Sequence, residues 1–292
     1  MLLNFEPISL DGQAEYLKYF EGCPQKTSDY SFINLWGWAE EYGLSWAWTE
    51  KLVWIKQMRP AVQYWAPVGF WDMVDWNRRL MEFPGMSSTF IRVPENLLAL
   101  WEKNIDRPLS VQEAREHWDY IYDLNELVEL KGNRFHKKKN LLVQFTKKIE
   151  FQFSPLNTDI IGKALAMQQS WCTWRDCESV EALAAENRVI ARVLNDWEKL
   201  DGIHGGAILT DDKLIAYTVA EGLDDDTLLI HFEKGDSEYK GVYQAINQLF
   251  LEHGKWDYKR VNREQDLGDE GLRKAKMSYH PLEFNKKYRI GL

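Results

Sequence analysis

The C-terminal stretch NREQDLGDEGLRKAKMSYHP, residues 262–281, carries more titratable chemistry than a surface helix needs. It gathers carboxylates, guanidinium and ammonium groups, a tyrosine and a histidine around two glycines. Its charges nearly balance, so net charge does not mark it as a phosphate patch. Mixed clusters of this kind are typical of internally paired networks that position a few groups. We expect Arg263, Asp266 and Tyr279 to belong to a site; the alternative is a solvated connection.

A second candidate lies in the segment TLLIHFEKGD, residues 227–236, which reads as a strand followed by a turn. His231 and Glu233 alternate along it and therefore project from the same face of the strand. Acyl transfer to an amine or hydroxyl needs a base near the nucleophile. Glu233 or His231 is the predicted base, with Lys234 beside them as a donor-binding cation. The alternative is a satisfied structural pair.

A basic run forms the third candidate. Residues 131–148 contain seven Lys or Arg side chains and no carboxylate, in a chain of net charge −9. Read as a helix over 133–145, the run places Lys137, Lys138 and Lys139 on one broad face. Several lysines together can neutralise several phosphates, so the run predicts contact with phosphate groups. A solvated helix face remains the alternative.

Other chemistries find little support in the sequence. No nucleophile-elbow motif and no His/Cys cluster with metal spacing is present, so we predict no metal site. Cys23, Cys172 and Cys177 match no paired zinc spacing, and three unpaired thiols indicate a reducing compartment. We see no leader at the N-terminus and no apolar run near 18 residues, so a cytoplasmic location is expected. The oligomeric state stays open.

The elements that must position these residues follow from hydrophobic periodicity. The second half reads β-α-α-β-β-β-α-β, followed by a helix and a last strand near 282–288. Helices are predicted over 158–172, 179–197 and 238–253. The first half gives the same order more loosely, with helices over 12–21, 30–42, 70–83 and 94–104. The repeated order predicts a tandem duplication, divided as domains 1–115 and 116–292.

This order is that of the GNAT acyltransferase fold, an α/β (α+β) fold whose mixed sheet is splayed between its fourth and fifth strands. Three stretches also resemble one bacterial family: SDYSFINLWGW, YIYDLNELVELKGNRFHKKKN and the C-terminal stretch of residues 262–281. That family (DUF2156) resembles the C-terminal soluble domain of phosphatidylglycerol lysyltransferases, which is similar to Fem-type aminoacyltransferases. The resemblance implies a tandem GNAT-like protein with two mixed sheets flanked by helices.

The resemblance also implies aminoacyl transfer from aminoacyl-tRNA to a lipid headgroup or a small amine or hydroxyl acceptor. No tightly bound cofactor is expected, and without a transmembrane half either the acceptor is soluble or the protein docks peripherally on a membrane. An acetyl-CoA-dependent N-acetyltransferase is the first alternative. That activity needs a Q/R-x-x-G-x-G/A loop. This chain keeps Gly241, but Glu238 stands where Gln or Arg is expected and Tyr243 fills the second glycine position. A non-catalytic binding module is the second alternative.

The expected site therefore has two parts. Its predicted catalytic residues are Glu233, His231, Tyr279 and Asp266. Its predicted donor- and phosphate-binding residues are Lys137, Lys138, Lys139, Lys234, Gly241, Arg263 and Lys274.

Overall fold

The computed structural model describes residues 3–81, 89–174 and 180–292, although the side chain of residue 174 is not among those described. The chain forms two compact units. The first contains residues 1–119, 265–273 and 284–292, and the second contains residues 120–264 and 274–283. Each of the two sheets has seven strands.

The first sheet has the strand order β1-β2-β3-β4-β5-β14-β6. Its strands are β1 Glu6–Pro7, β2 Ser45–Trp48, β3 Leu52–Gln57, β4 Gln63–Gly69, β5 Thr89–Pro94, β6 Ser110–Glu113 and β14 Lys287–Gly291. The accompanying helices are α1 Gln13–Glu21, α2 Phe32–Tyr42, α3 Trp76–Met81 and α4 Glu95–Asn104. Helix α2 begins where the Ser31 hydroxyl accepts the Asn34 N–H and ends at Gly43 in the left-handed conformation.

The second sheet has the order β13-β7-β12-β11-β10-β9-β8. Its strands are β7 Asp119–Asp123, β8 Gln152–Pro155, β9 Ile203–Thr210, β10 Lys213–Gly222, β11 Thr227–Gly235, β12 Arg260–Asn262 and β13 Glu283–Asn285. The helices from residue 124 onward are α5 Leu124–Glu129, α6 His136–Lys148, α7 Thr158–Trp174, α8 Glu181–Asn195, α9 Val242–His253 and α10 Glu270–Met277.

Helix α9 anchors the core of the second unit. Its buried face includes Val242, Ile246 and Leu249, which join Ile208 of β9 and Ile215 of β10 in one apolar cluster. Full burial of side chains of this size stabilises the fold by about 1.5–3 kcal/mol each. The apolar stripe seen in the sequence of α9 therefore fixes this helix against the sheet, and its polar residues are fixed with it.

The predicted fold class is confirmed, since two mixed sheets are flanked by helices, and the predicted element order holds in both halves. Two predicted helices reach residues outside those described, at 82–83 and at 179. The division at residue 115 differs from the observed units because β14 pairs with β5 and β6 in the first sheet. A single boundary in the sequence cannot describe these units, because each of them consists of several separate segments of the chain.

Two further expectations meet the structure here. Cys172 is disulfide-bonded and Cys23 is free and buried, so the expectation of three unpaired thiols is wrong. The inference of a reducing compartment, which rested on that expectation, therefore loses its basis. Among the described residues, no helix is both long and apolar enough to cross a membrane.

Both sheets are split beside their parallel strands. In the second sheet, β11 and β12 pair only from Thr227↔Arg260 to Leu229↔Asn262, while β11 continues to Gly235. In the first sheet, β4 and β5 pair in parallel at Tyr64↔Phe90 and Trp65↔Ile91. Beyond each last pair, the strands no longer exchange backbone hydrogen bonds, so side chains can enter between them. This is the splay that the element order predicts.

Candidate functional site in the second unit

Glu233 and Arg263 meet at the split of the second sheet. Arg263 directly follows the last paired residue of β12, and Glu233 lies on the part of β11 that no longer pairs with β12. Arg263 Nη2 donates to both carboxylate oxygens of Glu233, at 3.2 and 3.1 Å, and Asn247 Nδ2 of α9 donates to Oε2 at 3.1 Å. The two charged side chains are 15% and 10% exposed, so the pair is desolvated yet reachable.

The guanidinium of Arg263 is held between aromatic rings. Its Cζ atom lies 4.9 Å from the ring centroid of Tyr279 and 5.8 Å from that of Tyr122. Burial alone would lower its pKa, but the Glu233 carboxylate and the two phenols raise it, so the group stays cationic. Its Nη1 atom is buried and has no hydrogen-bond partner within the described part of the chain. Buried donors are normally paired, so a buried Nη1 without a partner marks Arg263 as a candidate donor to a ligand oxygen.

Tyr279 lies between two cations. Lys138 Nζ is 4.2 Å from its ring centroid, on a helix that the sequence identified only as a basic face. Burial, and then the charge of Arg263, lower the pKa of Lys138. Burial raises the pKa of Tyr279 in spite of Arg263, so its phenol is protonated at neutral pH. Gln244 Nε2 of α9 donates to this hydroxyl at 3.4 Å. The structure therefore brings Glu233, Arg263, Tyr279 and Lys138 together.

His231 is not suited to act as a base. Its Nε2 lies 2.8 Å from Glu221 Oε1 and its Nδ1 lies 2.9 Å from Glu264 Oε1, and its side chain is fully buried. Burial lowers its pKa, but the hydrogen bonds to Glu221 and Glu264 outweigh that effect and raise it to about 9. At neutral pH the imidazolium has no free lone pair, so the predicted role as base is corrected in favour of a structural one.

Asp266 is also structural. Its side chain has zero exposure and belongs to the first unit. Arg273 donates to both of its oxygens at 2.9 Å, and Arg115 Nη1 donates at 3.1 Å. The Gly268 N–H completes the set at 2.9 Å. A carboxylate saturated by two guanidinium groups stabilises the local chain, because four donors neutralise it and leave it little capacity to accept a proton.

Lys234 points away from Glu233 because neighbouring strand residues alternate. It donates to Glu186 of α8 at 2.8 Å and lies 4.1 Å from the ring centroid of Trp171 of α7. Its charge is therefore already paired inside the fold. Lys234 does not join the Arg263 cluster, which corrects its predicted place beside Glu233.

Gly241 has a steric explanation. It precedes α9 with φ +92°, and a Cβ atom there would lie 2.4 Å from the carbonyl oxygen of Leu141 on α6. The close approach that requires glycine is thus made by α6. A cleft of about 170 Å³ beside this turn is lined by residues including Lys148, Glu238 and Lys240. The position predicted for pyrophosphate contact is occupied by the protein's own helix.

The remaining predicted cations stay at the surface. Lys137 and Lys139 of α6 and Lys274 of α10 are exposed, and within the described ranges no ion pair involves them. Lys131 and Arg134 pair with Glu129 and Glu126, which leaves the later part of α6 with the uncompensated charge. The basic face predicted from the sequence is therefore present, and Lys138 is its member at the cluster.

The first sheet holds a comparable arginine that sequence analysis missed. Arg92 follows the last residue of β5 that pairs with β4, adopts φ +58°, and pairs with Asp29. Lys287 pairs with Asp29 and, at 2.6 Å, with Asp119. Arg92 is 6% exposed and the side chain of Lys287 has no exposure. This split is filled by a charge-balanced network in which Arg92 Nε also has no hydrogen-bond partner among the described residues. The network is more deeply buried than the Arg263–Glu233 pair, so the second unit is the better candidate for binding a substrate.

Sequence analysis also missed the polar residues that α9 contributes. Gln244 and Asn247 are three residues apart and therefore share one side of the helix. Asn247 is 2% exposed, and such burial is uncommon for asparagine. The available signal was a pair of amide side chains on one side of an amphipathic helix, at the border of its apolar stripe. Lys276 was overlooked as well, and its Nζ donates to the carbonyl oxygen of Arg263.

Comparison with solved structures finds strong likeness over the whole chain. A conserved protein of unknown function from Bacteroides thetaiotaomicron is 28% identical, with a TM-score of 0.90 and 100% of both chains covered. The structure of L-PGS from Bacillus licheniformis is 11% identical, with a TM-score of 0.67 and coverage of 100% of this chain and 94% of that one. At that identity the second likeness shows the fold.

Sequence comparison gives one relative and one family. An uncharacterized protein from Mycoplasmoides gallisepticum is 25% identical over 176 residues, which span 59% of this chain and 55% of that protein. The family model described as "Phosphatidylglycerol lysyltransferase, C-terminal" matches residues 20–291. The match covers nearly the full length and includes both splits and the Arg263 cluster. The chain therefore belongs to the family of phosphatidylglycerol lysyltransferase C-terminal domains.

Proposed function

We propose that this protein is an aminoacyltransferase that moves an aminoacyl group from aminoacyl-tRNA to a hydroxyl or amine acceptor. The observation that carries the proposal is the buried, unpaired Nη1 of Arg263, placed at the sheet split beside a carboxylate and a phenol. A fixed cationic donor in a desolvated site stabilises the negative charge that develops on a carbonyl oxygen during acyl transfer. Membership of the family supports the same class of reaction.

Each group of the cluster has a role in this reaction. The acceptor nucleophile attacks the ester carbonyl carbon, and Glu233 takes the proton that the nucleophile loses. The electron pair moves to the carbonyl oxygen, where Arg263 Nη1 donates a hydrogen bond. As the intermediate collapses, the ester C–O bond breaks and the Tyr279 hydroxyl gives its proton to the leaving ribose oxygen. The phenolate between Lys138 and Arg263 then regains a proton from Glu233.

Helix α6 supplies the surface for the nucleic acid part of the donor. Lys137 and Lys139 are exposed, and Lys147 and Lys148 extend the same charge along the helix. Each lysine that meets a phosphate releases counterions, so binding falls steeply with salt. Lys138 connects this surface to Tyr279 in the site. The acceptor is a lipid headgroup or a small soluble amine or alcohol, and no tightly bound cofactor takes part.

An acetyl-CoA donor fits less well. Its pyrophosphate needs close backbone approach at the turn before α9. Leu141 of α6 already makes that approach at Gly241, and Tyr243 adds bulk two residues further along. Glu238 stands where the acetyl-CoA loop has Gln or Arg, although Lys148 and Lys240 line the same cleft. These observations favour the aminoacyl donor.

The decisive experiment is a transfer assay with several tRNAs, each charged with its labelled amino acid. Phosphatidylglycerol vesicles and a soluble amine serve as separate acceptors, and acetyl-CoA replaces the charged tRNA in a parallel series. We expect label on one acceptor in the tRNA series, abolished by Arg263→Met and retained by Arg260→Met. Transfer from acetyl-CoA alone would establish the rival enzyme. Tight donor binding without transfer from any donor would establish a binding module.

A further inference from the structure

The backbone around Arg263 is fixed at every residue from 262 to 264. The Arg263 N–H donates to the Tyr120 carbonyl at 3.0 Å, and the Tyr120 N–H donates to the Glu264 carbonyl at 3.1 Å. The Glu264 N–H donates to Asn262 Oδ1 at 2.8 Å, and Lys276 Nζ donates to the Arg263 carbonyl. These hydrogen bonds hold the backbone on both sides of Arg263, and they therefore fix the direction in which its side chain leaves the chain.

Glu264 adopts a conformation that requires such support. Its φ of +55° lies in the left-handed region, which is unfavourable for a glutamate by about 1–3 kcal/mol. Strained residues of this kind persist where surrounding contacts determine them. The turn at Glu264 lets the chain leave β12 immediately after Arg263. A relaxed conformation of Glu264 would swing the arginine backbone with it.

His231 holds the Glu264 side chain through Nδ1 at 2.9 Å, while Nε2 is anchored to Glu221 of β10 at 2.8 Å. The histidine lies two residues before Glu233 on β11, where the register of β11 against β10 shifts at a bulge. One rigid imidazole therefore connects the strand that carries Glu233 to the turn that carries Arg263. All four side chains belong to the second unit.

We propose that His231 is a positioning residue, which clamps the strained turn at Glu264 so that Arg263 Nη1 and Glu233 stay in register for transfer. The expected effect on the transfer rate rests on the proposed function. The expected effect on the orientation of Arg263 rests on geometry alone. Loss of the clamp lets residue 264 relax, and the oxyanion donor then moves away from the reacting carbonyl. Misplacement by about 1 Å is enough to cost roughly 100-fold in rate.

Two glutamates offer a matched pair for the test. Glu264→Gln and Glu221→Gln each remove the negative charge beside one ring nitrogen of His231. The two carboxylates lie at nearly equal distances from their nitrogens. Only Glu264 is covalently joined to Arg263. We expect Glu264→Gln to lower kcat by ten-fold or more and Glu221→Gln by less than three-fold, with KM for charged tRNA changed less than three-fold in both. The melting temperature of each variant is measured alongside.

A purely structural role predicts a different pattern. Equal kcat losses in the two variants, or losses that follow the fall in melting temperature, would overturn the proposal. His231→Gln, which keeps one amide donor, should retain more kcat than His231→Phe, which keeps none. The reverse order would also overturn it.

An arm without turnover separates this proposal from the proposed function. The 15N signal of the Arg263 side chain reports its orientation by NMR in the full chain. We expect Glu264→Gln to shift or broaden that signal and Glu221→Gln to leave it close to wild type. If the wild-type protein transfers no aminoacyl group but the NMR pattern holds, the proposed function fails and the clamp stands. An unchanged Arg263 signal in Glu264→Gln removes the clamp, whatever the activity.

Discussion

Arg263 Nη2 lies 3.1 Å from Glu233 Oε2, although both residues sit beyond the last paired positions of neighbouring parallel strands. The contact exists because the strands separate there and Asn247 of α9 closes the gap from one side. In the first sheet the corresponding split is closed by Arg92 and Asp29. The split of the second sheet thus keeps a polar pair, Arg263 and Glu233, that a substrate can reach.

Replacing Arg263 by Met should lower kcat by roughly 100-fold or more, because loss of a single oxyanion donor typically costs about that factor. The transfer assay with charged tRNA measures it. Arg260→Met is the control, since Arg260 lies on β12, three residues before Arg263, but forms an exposed pair with Glu283. Similar losses in both variants would show that the strand, rather than the Arg263 guanidinium, matters.

Lys138→Met and Lys139→Met remove the same charge from adjacent positions of α6. Only Lys138 lies over the Tyr279 ring, so we expect its loss to reduce kcat about ten-fold as well as binding. Lys139→Met should weaken tRNA binding slightly and leave kcat intact. Both variants should lower the salt dependence of binding, measured by titration at several ionic strengths. Equal kcat values would contradict a role for Lys138 in the site.

The Glu221–His231–Glu264 cluster predicts that stability falls as pH rises. The folded-state pKa of His231 is raised to about 9, above its usual value near 6.5. Its stabilising contribution is therefore complete below pH 6.5 and is lost as pH rises toward 9. One unit of pKa shift corresponds to about 1.4 kcal/mol, so the free energy of unfolding should fall by an amount on the order of 3 kcal/mol.

Urea unfolding at pH 6, 7.5 and 9 measures that slope. The His231→Gln variant lacks the titrating group and should show a flatter profile over the same range. A wild-type profile as flat as that of the variant would mean that His231 does not bind its proton more tightly in the folded state.

Gly241→Ala should destabilise the protein by more than about 1 kcal/mol, because a Cβ atom would meet the Leu141 carbonyl at 2.4 Å and φ is +92°. Gly162→Ala in α7 is the control, since a Cβ atom there meets nothing within 4 Å. That change should stabilise by about 0.5–1 kcal/mol through helix propensity. Thermal unfolding compares them. A tolerated Gly241→Ala would reopen the turn to a ligand.

Lys287→Met should cost about 3–5 kcal/mol, because it leaves the buried Asp29 and Asp119 carboxylates without their shared cation. Lys286→Met is the neighbouring control, since Lys286 makes a long, exposed pair with Glu95 and lies near the Trp118 ring. Chemical denaturation measures the difference. A small effect of Lys287→Met would mean that Arg92 alone neutralises the network.

The sequence by itself determined the element order and the tandem architecture, because hydrophobic periodicity is a local property. The stripe on α9 and the alternation on β11 identified the framework, and Glu233, Arg263 and Tyr279 were chosen from residue types along it. These three residues do lie together, since Arg263 pairs with Glu233 and lies over the Tyr279 ring.

Only the tertiary structure decided which charged residues are paired and which stay available. His231 acquires partners 10 and 33 residues away, and Asp266 one that is 151 residues away. Nothing near them in sequence shows these contacts, so both looked like catalysts. The contact with the Tyr279 ring distinguishes Lys138 from its two neighbouring lysines, and strand pairing places β14 in the first sheet. Desolvation and pairing depend on residues brought together by folding, and local patterns do not contain that information.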